Sequence, residues 1–223
     1  MQWHIMERDD EETIMLLTST TFKHNGIIPE HCAFGIPDVD EHLKLGENKN
    51  PQLSWSDIPP GAKSLVLLCT DPDVPSSADN FNKEGTTIEI NLPRVDFIHW
   101  VMIDLPGQTG SVGEGACSDG IVSNGKSSPA GPTGTRQGIN DYTNFMAGDP
   151  DRAGDYYGYD GPCPPWNDER LHHYHFTLYA IDLEQTPVDG RFTAADVLAA
   201  IAGHIIATTT LIGAYSLNPD VPA

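Results

Sequence analysis

Hydrophobic and polar residues alternate with a period of two along much of this 223-residue chain, and this period predicts β-strands. The pattern is clearest late in the chain, where one face of a predicted strand carries His172, Tyr174, Phe176, Leu178 and Ala180. That face begins with an imidazole and a phenol and continues as hydrocarbon. We therefore expect a strand that anchors in a core and presents polar groups at one end.

Other segments also have strand patterns. Further strands are predicted at Ile14–Ser19, Leu53–Trp55, Ser64–Thr70, Phe97–Asp104 and Leu211–Leu217. The segment Ser64–Thr70 is apolar on both faces, which is typical of a central, doubly buried strand. In Phe97–Asp104 the alternation places His99 on the same face as Val101 and Ile103.

One helix is predicted near the C-terminus. Thr193 is a suitable N-cap, and Asp196 three residues later completes a capping box. Apolar residues then follow at helical spacing at Val197, Leu198, Ile201, Ala202, Ile205 and Ile206. We therefore expect the helix to extend to Ile206, and the whole to be mainly β with one or two peripheral helices.

The chain shows no internal repeat and no linker, so we expect a single domain over residues 1–223. Within it we expect residues 1–12 to be flexible, residues 76–95 to form an inserted hairpin, and residues 144–158 to form a loop insertion. The 21 glycines and 18 prolines favour a loop-rich β protein over a helical bundle.

Acidic residues outnumber basic ones by 32 to 12, which gives a formal charge of −20. This charge disfavours nucleic acid and anionic membrane surfaces as partners. No apolar run is long enough to be a transmembrane segment, and the N-terminus does not resemble a secretory signal. The four cysteines form no C-x-x-C pair. We therefore expect a cytoplasmic protein with reduced thiols and no cofactor.

Two proline-rich segments are candidates for chemistry. Residues 71–75, Asp-Pro-Asp-Val-Pro, follow the predicted central strand, and we expect a stiff turn that exposes Asp71 and Asp73. Residues 161–165, Gly-Pro-Cys-Pro-Pro, form a second rigid turn shortly before His172. These residues alone leave the alternatives open, because Asp-Pro is ordinary turn chemistry and a histidine such as His99 on an apolar face is usually a core group.

These two segments, His99, and His172-His173-Tyr174 occur in the order found in the phosphatidylethanolamine-binding protein family, which the chain resembles over roughly residues 10–217. The resemblance is closer to the prokaryotic, Raf-kinase-inhibitor-like branch, to which the segments Arg136–Tyr142 and Phe176–Asp182 are also similar. It implies a β-sandwich around a large antiparallel sheet, with an anion pocket at one end. The expected pocket residues are Asp71, Pro75, His99, Gly161, Pro162, His172 and Tyr174, with Asp73 available to a ligand's ammonium group.

The resemblance implies a binding protein for a small phosphorylated or anionic ligand, which acts on a protein partner in some relatives. An alternative is an enzyme that uses Asp71, His99 and His172 for acid–base chemistry. A metal site at His172, His173, His175 and Asp168 is a further alternative, but neighbouring strand residues point to opposite faces. Domains of this kind often pair through an exposed face, so a homodimer is considered as well.

Overall fold

The structure, a computed structural model, describes residues 14–221. The prediction for residues 1–12 lies outside this range. The strands are β1 (Leu16–Thr18), β2 (Gly26–Ile27), β3 (Gly35–Asp38), β4 (His42–Leu45), β5 (Leu53–Ser56), β6 (Ser64–Pro75), β7 (Arg94–Pro106), β8 (Gly110–Val112), β9 (Arg136–Gln137), β10 (His172–Ile181) and β11 (Ile205–Tyr215). The helices are α1 (Tyr142–Phe145) and α2 (Ala194–Ile201), and Glu30–Cys32 forms a 3-10 turn.

The strands form one large and two small sheets. The large sheet has six strands in the order β2-β11-β10-β6-β7-β9, antiparallel except where β2 pairs with β11. A three-stranded sheet, β1-β5-β8, packs against one face of it, and β3 and β4 form a separate hairpin. The predicted mainly β class is confirmed, with a large, mostly antiparallel sheet at its centre.

Strand β6 is buried on both faces, as its apolar run predicted. Leu65 and Leu67 belong to the core between the two larger sheets, whereas Val66 and Leu68 pack with Val197 of α2 on the other side. The centre of the large sheet is therefore held by apolar contacts from two directions. It provides a rigid base for the polar residues at the end of β6.

A β-bulge in β7 changes the direction of His99. Cys69 of β6 pairs with Trp100 and Thr70 pairs with Ile98, which leaves His99 as the extra residue between them. The expectation that His99 shares a face with Val101 was therefore wrong. The bulge turns the imidazole ring towards Tyr174, at 5.1 Å between ring centroids, because an inserted residue interrupts the strict alternation of faces.

The segment 71–75 is strand rather than an exposed turn, since β6 continues to Pro75. The two prolines are accommodated by an irregular register, in which Asp71 pairs with Phe97 and Val74 with Val95. Both carboxylates are buried, at 1% exposure for Asp71 and 8% for Asp73. The predicted exposed carboxylate pair was therefore wrong, because partners from later in the chain cover both groups.

Two other predictions were wrong. Residues 76–93 form turns with one isolated bridge, Ile88 to Asp168, instead of a hairpin. Helix α2 ends at Ile201, and Ile205 begins strand β11. The cause lies at Gly203, whose positive φ of 84° ends the helix. The capping box of Thr193 and Asp196 was predicted and is present.

Candidate functional site

A cavity of about 320 Å³ lies beside the end of β6. The polar groups of Asp71, His99 and Tyr174 meet in its wall. The rest of the wall is largely apolar and includes Phe34, Leu43, Leu45, Val74, Pro75, Phe81, Phe97, Tyr142, Phe145, Met146, Cys163, Pro164 and Pro165. A concave, mainly apolar site with a few converging polar groups is the usual form of a small-molecule site.

The cavity brings together half of the residues expected to line a pocket. Asp71, Pro75, His99 and Tyr174 lie in its wall. The other four, Asp73, Gly161, Pro162 and His172, lie behind the wall and contact the residues that form it.

His99 is buried at the bulge of β7. Its Nδ1 lies 2.7 Å from the carbonyl oxygen of Asp160, and since a carbonyl only accepts, Nδ1 carries the proton. Burial lowers the pKa of His99 against the opposing effect of the Asp71 carboxylate. The imidazole is therefore neutral at pH 7, with Nε2 as the ring atom left to bind a group in the cavity.

Tyr174 carries a hydroxyl group that is buried and makes no hydrogen bond with the described residues. Burial, together with the nearby carboxylate of Asp71, raises the pKa of this phenol well above its usual value. The hydroxyl therefore keeps its proton and can donate it. A buried hydroxyl group without a partner costs free energy, which a hydrogen-bond acceptor in the cavity would recover.

Asp71 is held from behind by His172. One carboxylate oxygen lies 2.7 Å from His172 Nδ1, and the other accepts the backbone N–H of Asp73 at 2.8 Å. On its far side, His172 Nε2 lies 3.2 Å from Asp168 Oδ2. His172 is completely buried, and both ring nitrogens face carboxylates. It therefore has no N–H group left for a ligand.

The two carboxylates keep His172 charged. Burial alone would lower the pKa of His172, but the charges and hydrogen bonds of Asp71 and Asp168 raise it to about 9. Asp168 is in turn paired with Arg94 through two contacts, at 2.5 and 3.1 Å. Burial opposes ionisation of Asp168, but its bonds to His172 and Arg94 leave its pKa below the usual value. The result is a buried chain of alternating charges.

Asp73 extends this charged cluster towards solvent. It accepts a hydrogen bond from Arg170 at 2.9 Å and lies 2.8 Å from His173 Nδ1. Burial raises its pKa, but these two partners outweigh burial and lower it. Its oxygens are therefore already engaged with protein groups. The expectation that Asp73 meets a ligand's ammonium group has no support in this arrangement.

Gly161 and Pro162 position the wall of the cavity through their backbone groups. The N–H of Gly161 donates to Asn48 Oδ1 at 2.8 Å, and its carbonyl accepts the hydroxyl of Tyr142 at 2.8 Å. The carbonyl of Pro162 accepts from the N–H groups of Phe34 and Gly35. A side chain at position 161 would meet the carbonyl of Cys32 at 2.0 Å, so the close approach requires glycine.

Sequence reasoning missed the buried carboxylate of Asp160. Its oxygens accept hydrogen bonds from Asn48, Lys126 and Asn140, each at 2.8 Å. This fixes the main chain whose carbonyl holds His99. Its position directly before Gly161 was the available signal. Arg94 and Arg152 were also missed, and Arg152 reaches the cavity wall from the predicted insertion at residues 144–158.

The set of residues considered for a metal does not converge. His172 points inwards to Asp168, whereas His173 and His175 lie on the more exposed face of β10. His173 is bound to Asp73 instead. Neighbouring residues of β10 therefore point to opposite faces, as the period of two predicted.

None of the helices within residues 14–221 has the length and apolar character needed to cross a membrane.

Comparison with known proteins identifies the class to which this fold and cavity belong. The sequence profile described as "Phosphatidylethanolamine-binding protein" matches residues 18–216. The UPF0098 protein YbhB of Escherichia coli is 30% identical over 202 residues, covering 91% of this chain and all of that protein. A UPF0098 protein of Methanothermobacter thermautotrophicus is 34% identical over 170 residues, covering 76% and 84%.

A solved structure supports the same assignment. The crystal structure of E. coli YbcL, described as a member of the mammalian PEBP family, matches with a TM-score of 0.64 at 26% identity. The match covers 91% of this chain and 98% of YbcL. The chain therefore belongs to the phosphatidylethanolamine-binding protein family, and the resemblance noted in its sequence is confirmed.

Proposed function

We propose that this protein binds a small molecule with a phosphate, phosphoryl or other anionic group, and that the anionic group lies against Asp71, His99 and Tyr174. Membership of the family supports a ligand-binding role. The apolar remainder of the cavity wall favours a ligand that carries an apolar body beside its charged group.

The observation that carries this proposal is the Tyr174 hydroxyl, which is buried, protonated and without a partner among the described residues. A donor in this state needs an acceptor, and a phosphoryl or carboxylate oxygen supplies one. Hydrogen bonds to charged acceptors are stronger than those between neutral groups. This donor accordingly favours an anion.

The carboxylate of Asp71 would oppose an anion if its charge stood alone. His172, charged because its pKa is about 9, lies 2.7 Å from Asp71 and offsets that charge. Arg94 does the same for Asp168, and Arg170 for Asp73. We therefore assign His172 a positioning role: it neutralises and orients Asp71 rather than touching the ligand.

The protonation of His99 makes the affinity for an anion depend on pH. Its pKa is lowered by burial, so Nε2 is an acceptor in the free protein and becomes a donor only when a proton is taken up. An anion near Nε2 favours that uptake. Asp71 then accepts the remaining proton of a protonated phosphate. The overall charge of −20 opposes long-range attraction, so affinity must come from these local contacts.

The geometry gives less support to an enzyme. The histidine that pairs with carboxylates, His172, is enclosed by Asp71 and Asp168, and His99 is held by a carbonyl. Asp71 and His99 both face the cavity, but no hydrogen bond joins them among the described residues, so the pair lacks the direct contact of a carboxylate that activates a histidine. Four expectations stay predictions from sequence: a protein partner, a homodimer, a cytoplasmic location and a single domain.

Titration with inorganic phosphate and O-phosphoethanolamine, followed by calorimetry or phosphorus NMR, tests the proposal. We expect saturable binding by the wild type and a loss of about tenfold in Tyr174→Phe, the size of one hydrogen bond to a charged acceptor. Asp71→Asn should also weaken binding. Tyr179→Phe is the matched control, because Tyr179 lies on the same strand and packs on the opposite side of the sheet.

Each result of this titration decides one point. Equal affinity in wild type and Tyr174→Phe would remove the observation on which the proposal depends. No binding by a folded wild type would reject the anion site itself. If O-phosphoethanolamine binds much more tightly than phosphate, an acceptor for its ammonium group must be sought in the cavity wall.

A further inference from the structure

A second group of side chains meets away from the cavity. His31 and Cys32 are consecutive residues of the 3-10 turn, and Glu114 follows strand β8. A ring nitrogen, the thiol sulfur and a carboxylate oxygen from these three residues lie within 4.8 Å of one another. Imidazole, thiolate and carboxylate are the three ligand types that zinc binds in proteins, at about 2.0–2.3 Å.

The second observation concerns the imidazole of His31. Its Nε2 is buried and makes no hydrogen bond with the described residues, although Glu114 Oε2 lies 3.2 Å away. At this distance the two groups can form an ion pair only when His31 is protonated. A buried ring nitrogen without a partner is unfavourable, and a metal ion between this nitrogen and the carboxylate would satisfy both groups.

Hydrogen bonds fix the main chain on both sides of the cluster. The carbonyl of His31 accepts the N–H of Lys49 at 2.9 Å, and that of Cys32 accepts the Tyr159 hydroxyl at 2.8 Å. Across from them, the loop carrying Glu114 is held by Asn50, whose side chain accepts the N–H groups of Cys117 and Ser118. Binding would therefore require little ordering of backbone.

The carboxylate of Glu114 is itself positioned. Thr21 donates its hydroxyl to Oε2 at 2.7 Å. A hydrogen-bonded partner behind a carboxylate is the usual arrangement around metal ligands.

The neighbouring charges favour a cation. Lys49 is the basic residue nearby, and its ammonium group lies 2.5 Å from Glu47 and 3.9 Å from Asp119. Together with Glu114, these acids offset the positive charge of Lys49. A metal ion bound by Cys32 would displace the proton of its thiol, so binding should release a proton.

We propose that His31, Cys32 and Glu114 form a site for a zinc-like divalent transition-metal ion. The thiol disfavours magnesium and calcium, which prefer oxygen ligands. Three protein ligands leave a fourth tetrahedral position, which a water molecule or another small ligand would fill. The site is separate from the proposed anion site and does not depend on it.

Cobalt(II) titration of tag-free, chelator-treated protein tests the proposal, because thiolate–cobalt charge transfer and tetrahedral ligand-field bands report the ligands directly. We expect one equivalent to bind with a thiolate band, and zinc to displace it. Cys32→Ser should remove the band. Glu114→Gln, at a partly exposed residue that leaves the core intact, should weaken binding about tenfold or more.

Two control variants locate the site. Cys117→Ser removes a different buried thiol near the same loop and should bind cobalt like the wild type. Glu47→Gln removes an acid that pairs with Lys49 but is outside the ligand set, so it should weaken binding less than Glu114→Gln and leave the thiolate band in place. A thiolate band that persists in Cys32→Ser, or an affinity unchanged in Glu114→Gln, would overturn the assignment. So would the absence of a thiolate band in folded wild type.

Discussion

His99 and His172 are both buried close to Asp71, yet their surroundings give them opposite properties. His172 lies between two carboxylates, and its pKa rises to about 9 despite burial. His99 faces a backbone carbonyl and aromatic rings, and burial lowers its pKa. The depth of burial therefore does not decide the charge of a histidine here. The neighbouring groups do, and they separate a structural imidazolium from a neutral imidazole open to a ligand.

The largest expected effect is on stability. His172→Gln removes the cation between Asp71 and Asp168 and leaves buried negative charge uncompensated, so we expect a loss of about 3–5 kcal/mol in the free energy of unfolding. His99→Gln retains a side chain that can donate to the Asp160 carbonyl, so we expect a loss of about 1–2 kcal/mol. Urea unfolding of both variants measures the difference. Equal losses would contradict the contrast between the two sites.

The pH dependence of stability should separate the two histidines further. The raised pKa of His172 means that its stabilisation is complete below about pH 6.5 and is lost as the pH rises through about 9, on the order of 3 kcal/mol. The lowered pKa of His99 acts in the opposite direction, because the folded state binds fewer protons and stability falls as the pH drops below about 6.5.

Unfolding measured between pH 5 and 9 tests these signs. Relative to wild type, His172→Gln should lose less stability on the alkaline side, and His99→Gln should lose less on the acid side. His204→Gln is the control, since His204 is exposed and pairs with Asp182 at the surface. Parallel curves for all four proteins would show that neither buried histidine has a shifted pKa.

The contrast between the two histidines was only partly predictable. The period of β10 places His172 and Tyr174 on its buried face, and this much follows from sequence. The charge of His172 depends on Asp71, which lies 101 residues earlier in the chain. It also depends on Asp168, which a bend in the chain places next to the ring of His172. Pairwise contacts of this kind have no signature in a local pattern.

The direction of His99 was predicted wrongly for a similar reason. A bulge is set by how two strands pair, here by Cys69 with Trp100 and Thr70 with Ile98, and not by the composition of one strand.

The wrong prediction for the end of α2 had a different cause. Gly203 is a helix stop signal that can be read from the sequence, but the helical spacing of the apolar residues Ile205 and Ile206 was given more weight. The family resemblance supplied the set of pocket residues. It did not show which of them reach the cavity.

The next prediction concerns the affinity for an anion, where the expected effect is smaller than the changes in stability. If His99 takes up a proton with the anion, affinity should fall with rising pH above its free pKa, by up to about tenfold per pH unit. Inorganic sulfate is used because its charge stays constant between pH 5 and 8; it has no proton to donate to Asp71, so it should bind more weakly than phosphate but reports the protonation of His99 alone. His99→Gln should bind with little pH dependence. His172 stays protonated over this range because its pKa is about 9, so wild-type affinity that is constant from pH 5 to 8 would reject the role given to His99.

The smallest expected effect separates local contacts from distant charge. Arg152 lines the cavity, but its side chain is 54% exposed and its Nε lies 3.6 Å from Asp149. Water and salt screen such a group, so Arg152→Ala should weaken anion binding only about two- to fivefold at low salt and less at high salt. Arg191→Ala, which removes a comparably exposed arginine paired with Asp155, should leave affinity unchanged. A loss in Arg152→Ala larger than that in Tyr174→Phe would mean that the guanidinium, rather than the buried polar end of the cavity, provides most of the binding energy.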